Sequence, residues 1–261
     1  MLFLFDHFPV ATLLLSLLLF AGMMLSVSAG RRLAARARRR RPDGALPQVG
    51  AVDGALFALL GLLLAFAFSG AMSRFDGRRG LIVQEANAIG TAYLRVDLLN
   101  AQTQAAIRPV YRDYVKSRLT TYDPDKSVTE RLANYRRDQA LQAQIWKLSL
   151  AGLDGQLPNY APLVVVALNE MFDITTTRYA AAFQHPPVTV YLMLFAVCFV
   201  TAMLVGYGLT TKERPWVHLL SFTSVIAITI FVIADVEFPN LGFIRIDDAE
   251  RLFGDLLLSM K

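Results

Sequence analysis

The chain has 261 residues, of which 55% are hydrophobic and 18% charged, and its formal net charge is +5 at pH 7. This hydrophobic fraction exceeds that of ordinary soluble domains and therefore predicts an integral membrane protein. The single cysteine, Cys198, excludes an intrachain disulfide and a cysteine metal site.

Four apolar runs are each long enough to cross a hydrocarbon core of about 30 Å as a helix. They cover roughly residues 8–28, 51–71, 188–210 and 216–236. Residues 1–7 carry no Lys or Arg, and the positive charge follows the first run instead of preceding it. We therefore interpret the first run as a retained anchor and not as a cleaved secretory signal.

An arginine-rich loop is expected between the first and second runs. Its arginines are Arg31, Arg32, Arg36, Arg38, Arg39, Arg40 and Arg41. A short basic loop between spans stays in the cytoplasm, next to anionic headgroups, and its charge gives no reason to expect a nucleic-acid partner. Since the number of spans is even, both termini and residues 72–187 are predicted on the opposite, outer side.

The predicted fold is all-α, because no β-hairpin signal or sustained alternation of polar and apolar residues occurs. We expect a polytopic membrane protein with four transmembrane helices and a four-helix extramembrane layer inserted between the second and third spans. Residues 1–71 form the first transmembrane pair with its arginine-rich loop, and residues 72–187 the extramembrane domain. Residues 188–237 form the second pair, and residues 238–261 an acidic tail with one short amphipathic helix near 247–260.

Periodicity places four helices in the extramembrane domain. The first follows the second run and has a seam of apolar residues: Phe75, Ile82, Ala86, Ile89, Tyr93 and Val96. Glycines at the junction leave open whether the second run and this helix are one helix or two. The second covers about 105–122 and has one apolar side: Ile107, Tyr111, Tyr114 and Val115. Ser127 and Glu130 form a capping-box pattern that opens the third, which ends near residue 150. The fourth starts with Pro162 in its first turn and carries an apolar face: Val165, Leu168, Phe172 and Tyr179.

The search for catalytic motifs gives none. The sequence has no glycine-rich phosphate loop, no HExxH, no CxxC and no nucleophile elbow. Its three histidines, His7, His185 and His218, lie at three different span boundaries. We therefore expect no enzyme, no cofactor and no metal centre.

The most distinctive segment, residues 83–99, crowds acidic, amide and small residues onto one helix. Its candidate residues are Glu85, Asn87, Gly90, Tyr93, Arg95 and Asp97. Ala86 and Gly90, one turn apart, would let a neighbouring helix approach closely. The segment is either the core helix of a bundle or the lining of a vestibule.

Residues 78–99 resemble the signature of the bacterial bestrophin-like family, and residues 54–69, 205–208 and 241–247 extend the resemblance. That family is remotely similar to bestrophins, which are pentameric anion channels whose pore is lined by the second span. The resemblance thus implies a homo-oligomer in a bacterial inner membrane that handles inorganic ions. Bestrophins keep their helical body in the cytosol, whereas the charge pattern here predicts a periplasmic one; for orientation we follow the charge pattern.

The second run carries no charge at its centre, and its pore or gate candidates are Leu60, Leu64, Phe66, Phe68 and Ser69. A ring of such side chains gates by excluding water. A basic stripe at four-residue steps follows on the second extramembrane helix: Arg108, Arg112 and Lys116. It would concentrate anions if it faced an oligomer axis, or else pair locally with residues such as Asp113 and Glu130.

The leading functional hypothesis is a homo-oligomeric membrane ion channel that conducts anions, with the second span and its extension around the axis. The main alternative is a non-conducting membrane sensor or scaffold whose helical layer binds an extracytoplasmic ligand or partner. A cation-selective channel is the further alternative if Glu85 and the acidic tail line the entrance. The expected partners are the lipid bilayer, other copies of the chain and inorganic ions.

Overall fold

The computed structural model describes residues 8–40, 50–121, 126–209, 216–239 and 242–260. Its helices are α1 Phe8–Arg40, α2 Gly50–Leu94, α3 Ala101–Thr121, α4 Val128–Gly152, α5 Tyr160–Ala182, α6 Val188–Gly208, α7 Trp216–Glu237 and α8 Asp247–Ser259, with a 3₁₀ helix Arg95–Leu98 after α2. No strand occurs within these ranges, which confirms the all-α prediction. Among the described residues, four helices are long and apolar enough to cross a membrane: α1, α2, α6 and α7.

Helix α2 joins the second apolar run and the distinctive segment into one continuous helix of 45 residues. The sequence left this open because Gly70, Gly77 and Gly80 weaken the junction. Each glycine costs roughly 1 kcal/mol relative to alanine in a helix interior, which the strong helix formers around them outweigh.

The arginine-rich segment is helical and not a loop, so that part of the sequence prediction is wrong. Helix α1 continues through Arg31 and ends at Arg40. Alanine, leucine and arginine are strong helix formers, and no proline or glycine interrupts the chain between Arg31 and Arg40. Arg41 lies outside the described residues. So do residues 123–125, whose Asp-Pro-Asp sequence predicts a turn, and residues 211–215, the short link between the third and fourth apolar runs.

The chain divides into two compact units. Of the described residues, the spanning unit contains those within 8–73 and 185–238, and the helical unit contains those within 74–184 and 239–260. The tail, predicted as a separate segment, thus belongs to the helical unit. Phe253 of α8 is 1% exposed, and a Cβ atom on Gly90 of α2 would lie 3.4 Å from the Leu256 side chain. The Leu256 side chain of α8 thus lies at an ordinary van der Waals distance from the position that a Cβ atom on Gly90 would take.

The core of the spanning unit is apolar and contains residues of all four spans: Leu19, Met23, Val27, Leu60, Leu194, Cys198, Ala202, Leu219, Ile226 and Ile230. Helices α1 and α6 touch through their backbones at two glycines. A Cβ atom on Gly30 would lie 1.9 Å from the Met203 carbonyl oxygen, and one on Gly206 would lie 2.0 Å from that of Val27. Both positions therefore exclude any side chain.

The helical unit confirms most of the predicted apolar faces. All residues of the α2 seam and of the apolar side of α3 are buried. The capping box is present, with the Ser127 amide 2.9 Å from Glu130 Oε2. The predicted face of α5 is partly wrong, since Tyr179 is 37% exposed while Thr175 and Arg178 are buried. Their side chains make polar contacts inside the unit, which an apolar pattern does not reveal.

Candidate functional site

The pore candidates of α2 divide between two sides of the helix. Leu60 is 3% exposed and belongs to the core of the spanning unit, and Leu64 packs against that core. Phe66 and Phe68 are 66% and 41% exposed, and Ser69 is exposed as well. Only the second group is open to whatever surrounds the protomer.

The side of α2 opposite Leu60 carries small residues at alternating steps of three and four. We call it the alanine face, and all of its residues are exposed: Ala51, Ala55, Ala58, Leu62, Ala65 and Ser69. In its most apolar stretch α2 is only 11% buried, against 22–33% for the other three candidate spans. Most of this apolar stretch of α2 is therefore exposed on the surface of the single protomer.

A buried charge cluster of Glu85, Arg118, Asp138 and Arg178 joins four helices of the helical unit. Arg118 Nε donates to Glu85 Oε1 over 2.5 Å, and Arg178 Nη1 donates to Glu85 Oε2 over 2.9 Å. Arg118 Nη1 also donates to Asp138 Oδ2 over 2.8 Å. The exposed fraction of each of these side chains is 7% or less.

The cluster pairs two cations with two anions, so its formal charge is zero. Burial alone would raise the pKa of Glu85, but the neighbouring guanidiniums of Arg118 and Arg178 outweigh it and lower that pKa below its ordinary value of 4.5. The guanidinium carbon of Arg178 also lies 5.6 Å from the centre of the Phe253 ring, a cation–π contact with α8. The cluster thus fastens α2, α3, α4 and α5 together, and α8 covers it.

A neutral hydrogen-bond group extends the cluster. Tyr114 and Thr175 share a hydrogen bond of 3.0 Å, and Gln142 Nε2 donates to the Tyr114 hydroxyl oxygen over 2.9 Å. Burial raises the pKa of Tyr114 to about 12, so this hydroxyl stays protonated at neutral pH.

The other residues of the distinctive segment lie mostly near the end of α2. Asn87 is exposed. The hydroxyl of the buried Tyr93 accepts from Arg108 Nη1 over 3.0 Å, and Asp97 accepts from the same guanidinium. Arg95 donates to the Leu163 carbonyl oxygen of α5. Tyr93, Arg95 and Asp97 therefore fix the turn between α2 and α3.

The basic stripe on α3 is only partly free. Arg108 is paired with Asp97, and Lys116 lies 3.5 Å from Asp113. Within the described parts of the chain Arg112 makes no ion pair. The predicted local pairing with Asp113 is confirmed, whereas Glu130 caps α4 instead of meeting the stripe.

His185 makes a polar contact within the spanning unit. His185 Nδ1 lies 3.0 Å from Glu237 Oε1, and its ring stacks on Phe238 at a centroid distance of 4.3 Å. His218 is exposed, and His7 lies outside the described residues.

The decisive comparison is with family models. The model of the bestrophin-like domain matches residues 17–250, which is most of the chain. The chain belongs to the bestrophin-like family.

Solved structures confirm that the chain has the bestrophin fold. A bacterial bestrophin homologue from Klebsiella pneumoniae with a Leu-to-Thr mutation has 16% identity and a TM-score of 0.67, covering 93% of this chain and 98% of its own. The same homologue with a Tyr-to-Ala mutation has 17% identity and a TM-score of 0.65, covering 92% and 99%. No curated protein sequence matches the chain.

Three residues of the buried charge cluster in this bestrophin-like protein were missed from the sequence: Arg118, Asp138 and Arg178. A signal was present for the arginines. Arg118 lies three and four residues after the buried Val115 and Tyr114, and Arg178 lies three residues after Thr175. An arginine in register with a buried face predicts a buried carboxylate partner, and Glu85, next to Ala86 of the α2 seam, is such a carboxylate.

Proposed function

We propose that this bestrophin-like protein is a homo-oligomeric, anion-conducting membrane channel with α2 around its axis. The observation that carries the proposal is the exposed alanine face of α2. Membrane helices place small residues where another helix approaches closely, and large apolar residues face lipid equally well. A span that turns its small residues away from its own protomer therefore indicates contact with other copies or with a lumen.

The number of spans supports oligomerisation. One protomer has four candidate spans, and their apolar side chains fill the core between them. Among the described residues, packed side chains thus take up the space between the four spans of one copy, and several copies of α2 around an axis would supply an ion pathway. The number five rests on the resemblance to bestrophins.

We place the lining of the pathway on the exposed side of α2. Leu62 and Ser69 lie on the alanine face, and Phe66 and Phe68 lie on its two flanks. Leu60 and Leu64 are turned into the protomer, so we assign them to packing. A narrow ring of uncharged side chains would gate by excluding water.

Charge supports anions over cations. Glu85, which would favour cations at an entrance, is neutralised inside the buried charge cluster. Arg112 on the basic stripe has no partner among the described residues and is free to attract anions. Cation selectivity stays the alternative if the acidic residues of the tail line the entrance.

Recording from the purified protein in planar bilayers under a KCl gradient tests the proposal. We expect discrete currents with a reversal potential near that of Cl⁻. In a Cys198→Ala background, Ser69→Cys should let a charged methanethiosulfonate reagent change the current, because position 69 would face the lumen. Ser28→Cys is the matched control, since Ser28 is exposed on α1.

Each other outcome has a definite meaning. A reversal potential near that of K⁺ would select the cation alternative. An equal effect of the reagent on the currents of both variants would contradict the placement of α2 around the axis. Silence from an intact oligomer across voltage and pH would favour a non-conducting sensor or scaffold.

We also propose that the helical unit faces the periplasm of a bacterial inner membrane. The arginines at the end of α1 support this orientation. In a Cys198→Ala background, Leu157→Cys, at an exposed loop position, should react with an impermeant thiol reagent in intact spheroplasts, and Arg40→Cys should not. Labelling of Leu157→Cys only after lysis would place the helical unit in the cytosol, as in bestrophins.

A further inference from the structure

Three aromatic rings form a partly exposed stack on the helical unit, which we call the aromatic ladder: Tyr135, Tyr179 and Phe183. The Tyr135 and Tyr179 rings stack at 4.5 Å between centroids, and the Tyr179 and Phe183 rings meet edge-on at 5.0 Å. Phe183 is 66% exposed and Tyr179 is 37% exposed. Such a surface is costly to leave in water.

The aromatic ladder lies at the end of the helical unit through which the chain connects to two spans. Arg78 of α2 donates from Nε to the Ala181 carbonyl oxygen over 3.2 Å and from Nη2 to that of Gln184 over 3.0 Å. Helix α2 reaches Arg78 directly from the second apolar run. At this end of the helical unit, the chain therefore connects directly to two candidate spans, before Arg78 and after Phe183.

Chain length limits how far the aromatic ladder can lie from the bilayer. Phe183 precedes Val188, the first residue of the third candidate span, by five residues. Five extended residues reach at most about 17 Å. Two of them, Pro186 and Pro187, restrict the chain further.

The charge next to the aromatic ladder complements anionic headgroups. Arg131 lies one helical turn before Tyr135 and therefore on the same face of α4, whereas the exposed Arg136 and Arg137 follow Tyr135 on other faces of that helix. None of the three makes an ion pair with another residue that the structure describes. Unpaired arginines beside an anionic surface contribute about 1 kcal/mol each to its attraction.

We propose that the aromatic ladder is a lipid-contact surface that rests in the headgroup layer of the bilayer. Aromatic side chains are enriched at this level because an amphipathic ring suits both the apolar and the hydrated side of the boundary. Tyr179 and Tyr135 each combine an apolar ring with a polar hydroxyl group, as residues at this level do. The surface would hold one end of the helical unit against the membrane, whichever side of the membrane that unit occupies.

Fluorescence quenching in full-length protein tests this proposal. In a Trp146→Phe, Trp216→Phe background reconstituted into vesicles of phosphatidylglycerol and phosphatidylcholine, Phe183→Trp reports on the aromatic ladder. Leu157→Trp is the matched control, because Leu157 is 58% exposed and lies beyond the opposite end of α5. Quenchers are lipids brominated near the headgroup and, separately, acrylamide in water.

We expect the brominated lipid to quench the fluorescence of Phe183→Trp about twofold more strongly than that of Leu157→Trp. Acrylamide should quench Leu157→Trp more strongly than Phe183→Trp. Equal quenching of both variants by the lipid would overturn the proposal. Protection of Phe183→Trp from both quenchers would overturn it in favour of a second copy of the chain. If the tryptophan-free parent loses its size-exclusion profile, the same pair in the native background gives the same difference.

Discussion

Exchanging Glu85 for glutamine should lower the free energy of unfolding of the protein by about 3 to 5 kcal/mol. The substitution keeps the shape of the side chain but removes the charge that both Arg118 and Arg178 share. Both buried guanidiniums would then lose the carboxylate that they share, while the pair of Arg118 with Asp138 would remain. Chemical denaturation of the full chain in detergent measures the loss.

Asp97→Asn is the matched control. This carboxylate also pairs with an arginine, Arg108, but 64% of the Asp97 side chain is exposed. Exposed ion pairs contribute about 0 to 1 kcal/mol, so this variant should unfold almost as the parent does. An equal loss of unfolding free energy in the two variants would show that the burial of the Glu85 ion pairs does not add to their effect on stability.

The same carboxylate makes stability depend on pH. Because the folded state lowers the pKa of Glu85, the unfolded chain binds the proton more readily. The stabilisation is therefore complete above the ordinary value of 4.5 and is lost as the pH falls through the lower pKa of the folded state. In Glu85→Gln this part of the acid sensitivity should be absent.

Replacing Gly206 by alanine is expected to destabilise the spanning unit by about 3 kcal/mol. The added methyl group would lie 2.0 Å from the Val27 carbonyl oxygen, and a backbone atom on a helix cannot move aside alone. Helices α1 and α6 must separate, which opens gaps along the rest of their contact. The midpoint of thermal unfolding and the yield of monodisperse protein report the effect.

Gly208→Ala, two residues further along α6, controls for the change of residue type. A Cβ atom at Gly208 meets nothing within 4 Å, and alanine is the better helix former. This variant should therefore be as stable as the parent or slightly more so. A comparable loss in both variants would mean that the close approach of α1 and α6 is not what Gly206 provides.

Periodicity and hydropathy predicted the helices well because both measure the burial of apolar area. Each residue of the α2 seam, from Phe75 to Val96, is buried. The same reasoning failed at the end of the first span, because a positive charge reports position relative to the membrane and says nothing about helicity. Arg31 and the arginines after it are both positively charged and strong helix formers, and the prediction of a loop considered only their charge.

The candidate site was harder to predict because its partners are distant in sequence. Leu60 and Ser69 look equally suitable for a pore, and only the packing of α2 against the other spans distinguishes them. Glu85 was recognised as unusual, yet its partners lie 33 and 93 residues away. A single sequence does not show which distant residues pair with each other. Charged residues in register with a buried face do indicate that a buried partner exists.

The separation between Glu85 and Arg178 also affects the order of events during synthesis. Arg178 is translated 93 residues after Glu85, a delay of roughly 5 to 20 s at ordinary ribosome speeds. Throughout that interval the Glu85 carboxylate lacks one of its two guanidinium partners and needs water in its place. Arg118 and Asp138 are only 20 residues apart, so this pair can form before α5 has been translated, whereas the contact with Arg178 and the cover by α8 can form only later.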